Sequence, residues 1–528
     1  MKILVVEAIA SEGIDRLRAR HEVDERIGLP RDEICAILPG YDALVVRSQV
    51  KVDADMIAVG QRLSVIGRAG VGVDNVDIDA ATRAGIVVVN APTGNTIAAA
   101  EHTLALLYAL ARRIPAADAS VRRGEWKRSA FTGVELRGRT IGIVGMGKIG
   151  QAIAARTRAM EMRVLAADPY LSAEQAALHG TELVELDELL ERSDVVTVHV
   201  PMTRTTRGMI GAPQLARMKP GAFVLNVARG GIVDEAAAAD ALRSGHLGGA
   251  AFDVYTTEPP ASDSPLRDAP NTVLTPHLGA STEEAQVAVA EEVADQILDV
   301  LDGRSARYAV NAPLLSPETA RVIAPYIPLA ELLGRFFSQF AKGGSTTLTL
   351  EIAGEPAAYD AAPLVAAALR GLLESTTTER VNLVNASYVA KTRGLTVIER
   401  RTPDASPFSA RLTLSGSVDG RTTVVGGTVA HGEPRIVQLD DYWIDAAPAD
   451  TMLITRHEDR PGTMGRIGLV LGEADVNISA MHLARSAPRA DALMILALDD
   501  DIPAVVAEEI RAHPAVRDVW TVRLGADH

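Results

Sequence analysis

The chain has 528 residues, of which 47% are hydrophobic and 23% are charged, so it is long enough for roughly three or four globular domains. Its formal net charge of −15 argues against nucleic acid as a partner. No stretch of about 18 apolar residues is free of charges, so we expect no membrane span. Cys35 is the single cysteine, which excludes an intrachain disulfide, and we expect a cytoplasmic protein without a secretory leader.

The N-terminal region alternates short apolar strands with helical segments, as is typical of a parallel sheet covered on both faces. Strands are predicted at Lys2–Val6, Ala43–Val46, Ser64–Ile66 and Ile86–Val89, with a helix at Ser11–Arg20. Ligands bind such sheets beyond the carboxyl ends of the strands. Arg47, Gly67–Asp77 and Asn90–Thr96 follow three of these ends. The glycines of the second segment suit an ordinary turn as well as a ligand cradle.

Two long helices predict a divided first domain. Ile97–Arg113 would lead out of the first sheet, and Glu283–Leu301 would lead back to it. We therefore expect one domain from residues 1–97 and 289–313, with residues 98–288 inserted as a second parallel-sheet domain. Further strands are predicted in the insertion at Val195–Val200, Ala222–Val227 and Gly249–Asp253, and a polar turn at Arg122–Arg128.

The inserted region begins with the pattern of a dinucleotide-binding fold. Across residues 140–168, a strand, a G-x-G-x-x-G turn, a helix and a second strand follow one another, with glycines at Gly145, Gly147 and Gly150. These glycines permit the tight turn, the approach of a pyrophosphate and the packing of helix on strand. Asp168 ends the second strand, where a carboxylate binds ribose hydroxyls and repels a 2′-phosphate, so we expect NAD rather than NADP.

Three residues at predicted strand ends of the inserted region suit the oxidation of a secondary alcohol: Arg229, Glu258 and His277. Histidine can take the hydroxyl proton near neutral pH, and a carboxylate bonded to its ring stabilises the imidazolium. An arginine can hold a substrate carboxylate with two hydrogen bonds and polarise a carbonyl in the reverse direction. Each residue alone is more often structural, but the three together predict a dehydrogenase.

The C-terminal part has a different texture. Proline residues mark a linker at Pro313, Pro317, Pro325 and Pro328. Alternating strands are then predicted at Thr346–Ile352, Ala410–Leu414, Thr422–Val429 and Arg435–Leu439, which indicates an α+β domain over residues 314–449. We find no chemical motif there. Residues 450–528 have the βαββαβ order of a ferredoxin-like fold.

The motifs G-M-G-K-I-G, N-V-A-R-G-G, D-V-Y-T-T-E-P-P and T-P-H-L-G-A-S-T together resemble those of the D-isomer-specific 2-hydroxyacid dehydrogenases, over residues 1–313. Within that family, Arg47-Ser48, G-R-A-G-V-G-V-D-N-V-D, N-A-P-T-G-N-T and the C-terminal extension resemble the long-form D-3-phosphoglycerate dehydrogenases, which have an intervening domain before an ACT domain. The resemblance implies NAD-dependent oxidation of 3-phospho-D-glycerate to 3-phosphohydroxypyruvate, the first step of L-serine biosynthesis.

The resemblance also implies site residues. Arg229, Glu258 and His277 would be catalytic. The cofactor would contact Gly145, Gly147, Lys148, Ile149, Gly150, Asp168, Val227, Ala228, Arg229, Asp253, His277, Leu278, Gly279 and Ala280. The substrate carboxylate would bind Arg229 and the backbone of Gly70, Val71 and Gly72; its phosphate would bind Arg47, Arg68 and Arg128, with Lys127 as a substitute. An arginine of the Arg122–Arg128 turn would come from a neighbouring subunit. No metal is expected.

The ACT domain implies feedback by L-serine in a homo-oligomer, for which we expect a tetramer. The effector would lie between two subunits, against Asp459 and the backbone of Arg460–Gly462, with Asn477 of the partner subunit opposite. His457 lies nearby in the sequence, so inhibition would depend on pH between about 6 and 8.

Two other interpretations remain open at this point. A general glyoxylate or hydroxypyruvate reductase would share Arg229, Glu258 and His277 but would not need the other arginines to converge. An NAD-sensing interaction protein, like the corepressors of this family, would not need the intact catalytic set. A side activity on 2-oxoglutarate is a third open point.

Overall fold

The computed structural model describes residues 1–312, 317–341, 346–374, 376–377, 380–418 and 420–525. The predicted linker residue Pro313 and the predicted boundary between residues 313 and 314 lie outside this part. The described residues form two parallel sheets, one mixed sheet and one antiparallel sheet, so the predicted fold class is confirmed. Among them, no helix has the length and apolar character that crossing a membrane would require.

The first sheet is built from the N-terminal strands. These are β1 (Lys2–Val5), β2 (Glu22–Glu25), β3 (Ala43–Val46), β4 (Val65–Arg68) and β5 (Val87–Asn90), connected by α1 (Ser11–Arg18), α2 (Arg31–Ile37), α3 (Ala54–Val59) and α4 (Ile78–Arg83). The strand order is β2-β1-β3-β4-β5 and every pair is parallel. β4 runs past the predicted end at Ile66 because Gly67 and Arg68 still pair with β5.

The second sheet has seven parallel strands. They are β6 (Thr140–Val144), β7 (Arg163–Ala167), β8 (Glu182–Leu183), β9 (Val195–Val198), β10 (Phe223–Asn226), β11 (Gly249–Phe252) and β12 (Thr272–Leu274). Its helices are α5 (Thr96–Ala111), α6 (Ile114–Arg122), α7 (Lys148–Ala159), α8 (Ala173–Leu178), α9 (Leu186–Arg192), α10 (Ala212–Arg217) and α11 (Glu235–Arg243). The order β12-β11-β10-β9-β6-β7-β8 reverses between β6 and β9, the switch point at which such sheets bind dinucleotides.

The two long helices pack as the chain path predicts. On α5, Leu107 belongs to the core of the second sheet, together with Ile143 of β6. The helix α12 (Glu283–Leu301) returns to the first sheet, where its Ile297 is fully buried. Gly67 of β4 makes room for that side chain, since a Cβ there would lie 2.5 Å from Ile297. The domain limits at residues 97, 288 and 449 themselves remain predictions.

The third and fourth sheets follow. The third contains β13 (Thr347–Gly354), β14 (Thr396–Thr402), β15 (Ala410–Val418), β16 (Arg421–Ala430), β17 (Glu433–Leu439) and β18 (Tyr442–Ala446), with α13 (Pro317–Ile323), α14 (Ile327–Phe340), α15 (Ala362–Glu374) and α16 (Ala386–Thr392). The fourth contains β19 (Thr451–Glu458), α17 (Thr463–Glu473), β20 (Ile478–Arg485), β21 (Asp491–Leu498), α18 (Ala504–Arg511) and β22 (Val516–Arg523). Its order β20-β21-β19-β22 is ferredoxin-like, as predicted.

The ferredoxin-like sheet shares its core with the preceding region. Phe340 of α14 and Trp520 of β22 have ring centroids 4.8 Å apart, and Met452 and Ile454 of β19 belong to the same cluster. One face of the fourth sheet is therefore covered by a helix that lies more than 100 residues earlier in the chain. This packing has no signal in the local sequence pattern.

The loop before α16 contacts the amino end of the first sheet. Arg380 donates to the carbonyl oxygen of Leu63 and to the Ser64 hydroxyl, each at 2.9 Å. Asn382 donates to the carbonyl oxygen of Gly85 at 2.6 Å. These contacts join the C-terminal half to the strands β4 and β5, whose opposite ends border the candidate site.

Candidate active site

The glycine-rich turn after β6 has the geometry of a phosphate-binding loop. Gly145 has a φ of 95°, which favours glycine, and a Cβ at Gly150 would lie 2.2 Å from the carbonyl oxygen of Gly145. A Cβ at Gly147 would meet no described atom within 4 Å, so the outer side of the turn is open. Gly147 caps α7 without a side-chain hydrogen bond, which leaves N–H groups for an anion. These residues fit a dinucleotide pyrophosphate.

Asp168 lies at the mouth of the same turn. Its carboxylate accepts the N–H of Met146 at 2.8 Å and the N–H of Tyr170 at 2.9 Å. Both hydrogen bonds fix the carboxylate beside the loop, where a ribose would lie. No motif marks Tyr308, which follows α12; its ring centroid lies 5.4 Å from Nζ of Lys148.

His277 and Glu258 form the predicted pair. Nδ1 of His277 lies 2.7 Å from Oε2 of Glu258, and Oε1 of Glu258 accepts the N–H of Tyr255 at 3.0 Å. Burial raises the pKa of Glu258, but these hydrogen bonds outweigh it and hold the pKa below its usual value. His277 has a φ of 57°, an uncommon backbone conformation for a non-glycine residue, so its surroundings must hold it there.

Asp253 supplies much of that support. Its buried carboxylate accepts the hydroxyl of Thr275 at 2.7 Å and the N–H groups of Leu278 at 2.7 Å and Gly279 at 2.9 Å. Nε2 of His102 lies 3.1 Å away. Burial alone would raise the pKa of Asp253, but these donors outweigh burial and hold the pKa below its usual value. The backbone of the predicted cofactor residues Leu278 and Gly279 is thus held by Asp253. His102 on α5 is a further partner of Asp253, and no sequence motif marks it.

A cavity of about 690 Å³ between the two parallel sheets brings the predicted substrate and catalytic groups together. Its lining includes Arg47, Arg68, Arg229, Glu258 and His277. Nε of Arg68 is buried and has no hydrogen-bond partner among the described residues. Burial, reinforced by repulsion from Arg229, lowers the pKa of Arg68 to about 10. An anion in this cavity would supply a partner for Nε of Arg68 and offset the repulsion from Arg229.

The glycines after β4 have a purpose that sequence analysis did not foresee. A Cβ at Gly70 would lie 1.6 Å from Nη1 of Arg68, and a Cβ at Gly72 would lie 2.1 Å from Nη2 of Arg229. Both glycines therefore make room for guanidinium groups, and the binding of a substrate carboxylate by the backbone of this segment stays a prediction. Asn90 fixes it by donating to the carbonyl oxygen of Val71 at 2.5 Å.

Arg47 is oriented by a buried carboxylate that sequence analysis missed. Glu7 accepts the N–H groups of Arg47 at 2.7 Å, Gln49 at 2.9 Å and Val50 at 3.1 Å. Nδ2 of Asn75 donates to the carbonyl oxygen of Arg47 at 2.9 Å. Glu7 follows β1 and Arg47 follows β3, the neighbouring strands at which the first sheet reverses its order, which is the only signal for this contact.

Two predicted phosphate ligands lie elsewhere. Arg128 is exposed, 5.9 Å from the ring centroid of Trp126, and Nζ of Lys127 lies 3.6 Å from Glu125. Neither residue lines the cavity of its own chain. The contribution of an arginine of this turn from a neighbouring subunit stays a prediction.

The predicted effector residues already have partners within the chain. The carboxylate of Asp459 accepts from Nη1 of Arg485 at 3.1 Å and from the N–H of Arg489 at 3.0 Å, and Nδ2 of Asn477 donates to Asp499 at 2.6 Å. Gly462 caps α17 with a φ of 93°. His457 is buried beside Thr455, and burial lowers its pKa.

Comparisons with known proteins identify the family of the chain. Residues 104–279 match the family model of the D-isomer specific 2-hydroxyacid dehydrogenase NAD binding domain, and residues 322–440 match that of the D-3-phosphoglycerate dehydrogenase intervening domain. A D-3-phosphoglycerate dehydrogenase of Synechocystis is 47% identical over 99% of this chain and 95% of its own length. One of Archaeoglobus fulgidus is 43% identical over 99% and 100%, respectively.

The chain belongs to the D-3-phosphoglycerate dehydrogenase family. It is an NAD-dependent 2-hydroxyacid dehydrogenase, as the motifs predict. Solved structures match part of the chain: a Thermus thermophilus protein does so at 38% identity and TM-score 0.55, over 59% of this chain and 100% of that one. A formate dehydrogenase of Staphylococcus aureus in complex with NAD matches at 30% identity and TM-score 0.52, over 57% and 96%.

Proposed function

We propose that this dehydrogenase oxidises 3-phospho-D-glycerate to 3-phosphohydroxypyruvate, the first step of L-serine biosynthesis. This substrate has a carboxylate at one end and a phosphate at the other, so its site needs cationic groups at both ends. The observation that supports the proposal most is the convergence of Arg47, Arg68 and Arg229 in one cavity beside His277. The names of the relatives support the same substrate.

In the proposed reaction His277 is the base. Nδ1 stays bonded to Glu258, so Nε2 accepts the proton of the substrate hydroxyl. Ionised Glu258 stabilises the imidazolium that forms. Bound NAD supplies the acceptor for the hydride that leaves the same carbon. Arg229 holds the substrate carboxylate and, in the reverse direction, stabilises the negative charge that develops on the carbonyl oxygen.

The remaining predicted roles are part of the proposal. The turn of Gly145–Gly150 would hold the pyrophosphate of NAD and Asp168 its ribose hydroxyls. Arg47 and Arg68 would hold the substrate phosphate, aided by Arg128 of a neighbouring subunit. The proposed domains are residues 1–97 with 289–313, then 98–288, 314–449 and 450–528.

The substrate is tested by comparing kcat/KM for 3-phosphohydroxypyruvate and for hydroxypyruvate, with NADH. We expect a preference of about 100-fold for the phosphorylated substrate, or about 3 kcal/mol. Arg47→Ala should lose most of that preference. Arg62→Ala is the matched control, because Arg62 pairs with Asp42 at the opposite end of the sheet. Equal rates on both substrates in the wild type would favour a general hydroxypyruvate reductase.

We also propose L-serine feedback through the ferredoxin-like unit, as an ACT domain, in a tetramer of the 55.8-kDa chain. Asp459 and Asn477 would have to exchange their present partners for the ligand. Burial lowers the pKa of His457, so any pH dependence of inhibition that comes from this imidazole should lie on the acid side of the ordinary histidine range. Enzyme assays with added L-serine test the feedback: we expect inhibition in the wild type and none in Asp459→Ala. Light scattering tests the tetramer. The cytoplasmic location stays a prediction.

A further inference from the structure

Arg229, the proposed ligand of the substrate carboxylate, already has a carboxylate beside it. Oδ2 of Asp74 lies 3.1 Å from Nε of Arg229. Nη1 of this guanidinium donates to the carbonyl oxygen of Ala228 at 2.7 Å, and Nη2 lies against Gly72. Asp74 therefore occupies part of the guanidinium edge that a bidentate substrate carboxylate would use.

Asp74 differs from Glu7, another carboxylate near the arginines. Glu7 is 8% exposed and is bound by three backbone N–H groups, so it is fixed in place. The side chain of Asp74 is 66% exposed, and its hydrogen bond to Arg229 links the loop after β4 with the loop after β10. Its charge also acts on Arg68, where it offsets part of the repulsion from the other arginines. Asp74 is thus an exposed counter-ion between two arginines of the cleft.

We propose that Asp74 is a built-in competitor for the substrate carboxylate and thereby sets the affinity of the cleft for 2-oxo and 2-hydroxy acids. In the free enzyme it neutralises part of the arginine charge. When the substrate binds, the substrate carboxylate takes the place of Asp74 on Nε of Arg229, and Asp74 turns into solvent. No covalent step is involved. The proposal rests on the proposed role of Arg229, but not on the identity of the phosphorylated substrate.

Asp74 is hydrogen-bonded to Arg229 at the carboxylate end, and only its longer-range charge reaches Arg68, so its removal should strengthen the binding of phosphorylated and unphosphorylated substrates alike. An exposed ion pair contributes at most about 1 kcal/mol, which corresponds to about fivefold in affinity. Asp74→Asn should therefore lower KM about fivefold for both 3-phosphohydroxypyruvate and hydroxypyruvate, with kcat changed less than about twofold. The inhibition constant of oxamate, a 2-oxo acid analogue, should fall by the same factor. The difference from wild type should shrink as salt is added.

Two variants keep the test specific. Asp79→Asn removes an equal charge from the exposed first turn of α4, outside the cavity, and should leave every constant unchanged. Asp74→Glu keeps the competing charge and should stay within about twofold of wild type. Thermal unfolding of each variant checks that it is folded.

An unchanged or raised KM in Asp74→Asn would overturn the proposal, because Asp74 would then be neutral or would support substrate binding. A change confined to the phosphorylated substrate would also overturn it, since Asp74 would then act at the phosphate end. If the wild type does not prefer the phosphorylated substrate, the proposed function fails, yet hydroxypyruvate and oxamate still report on Asp74.

Discussion

The proposed catalytic pair is held in place by Asp253, which opens the motif D-V-Y-T-T-E-P-P, and by His102, which no motif marks. His277 has a left-handed backbone, and its loop is fixed by the buried carboxylate of Asp253. Asp253 in turn contacts His102 on α5, the helix that leads from the first sheet to the second. The position of the proposed base is therefore coupled to a helix between the two sheets. The motifs mark the pair and Asp253, but nothing in the sequence marks His102.

Glu258→Gln should lower kcat/KM by about 100-fold, because a neutral amide cannot stabilise the imidazolium that His277 becomes. Steady-state kinetics in the reductive direction measures this loss. Glu258→Asp keeps the charge and should retain more activity. A loss below about threefold would contradict a role for the carboxylate in proton transfer.

The same carboxylate predicts a pH-dependent stability. The pKa of Glu258 in the folded state is depressed, so its stabilising effect is fully present above the ordinary glutamate pKa of about 4.3 and is lost as pH falls through the folded-state value. The difference in Tm between wild type and Glu258→Gln should therefore be largest near neutral pH and shrink in acid. A difference that grows in acid would contradict this assignment.

At the scale of elements, the turn between β6 and α7 shows that one motif combines separate physical demands. Gly145 needs a positive φ, and Gly150 must let α7 approach the turn. Gly147 faces open space, so nothing in the folded chain itself requires a glycine there. The requirement at Gly147 is therefore expected to come from the cofactor.

This difference predicts opposite effects of two equal substitutions. Gly147→Ala should leave Tm almost unchanged and weaken NADH binding, because the added methyl group lies on the side where the pyrophosphate approaches. Gly150→Ala should destabilise the protein by about 1–3 kcal/mol, because its Cβ would clash with the backbone of Gly145. Calorimetry and NADH fluorescence titration separate the two. Equal loss of Tm in both variants would contradict the assignment.

At the scale of the whole molecule, the C-terminal units do not stand apart from one another. Phe340 of α14 packs on Trp520 of the ferredoxin-like sheet within one buried cluster. Ligand binding to the last unit would therefore act on a core that extends to α14. The contacts of Arg380 and Asn382 continue this connection to the first sheet.

Phe340→Ala should destabilise the C-terminal half by about 3–5 kcal/mol, the cost of removing a buried phenyl group. Because the cluster is shared, faster amide exchange is expected in β19 and β22 as well as in α14. Val505→Ala, at an exposed position of α18, is the control. Unchanged protection of β19 and β22 would show that the last unit folds independently.

Arg380→Ala should loosen the C-terminal half from the first sheet, because it removes two hydrogen bonds to Leu63 and Ser64. We expect an increased radius of gyration by small-angle scattering and faster exchange near Gly85. Arg393→Ala is a suitable control, since Arg393 donates within the C-terminal half to the carbonyl oxygen of Thr376. Identical scattering of the two variants would contradict a docking role for Arg380.

Much of this protein follows from local pattern in its sequence. Buried parallel strands such as Thr140–Val144 are continuous apolar runs, and the helix Glu283–Leu301 has an apolar face over its whole length, so both were predicted with the bounds that the structure shows. Exposed edge strands such as Glu22–Glu25 were missed, since they bury too little apolar surface to leave a pattern. The glycine spacing and the motifs around Arg229, Glu258 and His277 identified the chemistry, because each function needs its residue types within a few positions.

Contacts between distant segments were decided only by the tertiary structure. Glu7 beneath Arg47, His102 beside Asp253, and Asp74 on Arg229 join residues that lie 40, 151 and 155 positions apart. Gly70 and Gly72 look like turn residues until the guanidinium groups of Arg68 and Arg229 are seen against them. Local sequence sets which side chains leave each strand end, but the order of strands and the packing of the two sheets determine which of these side chains meet.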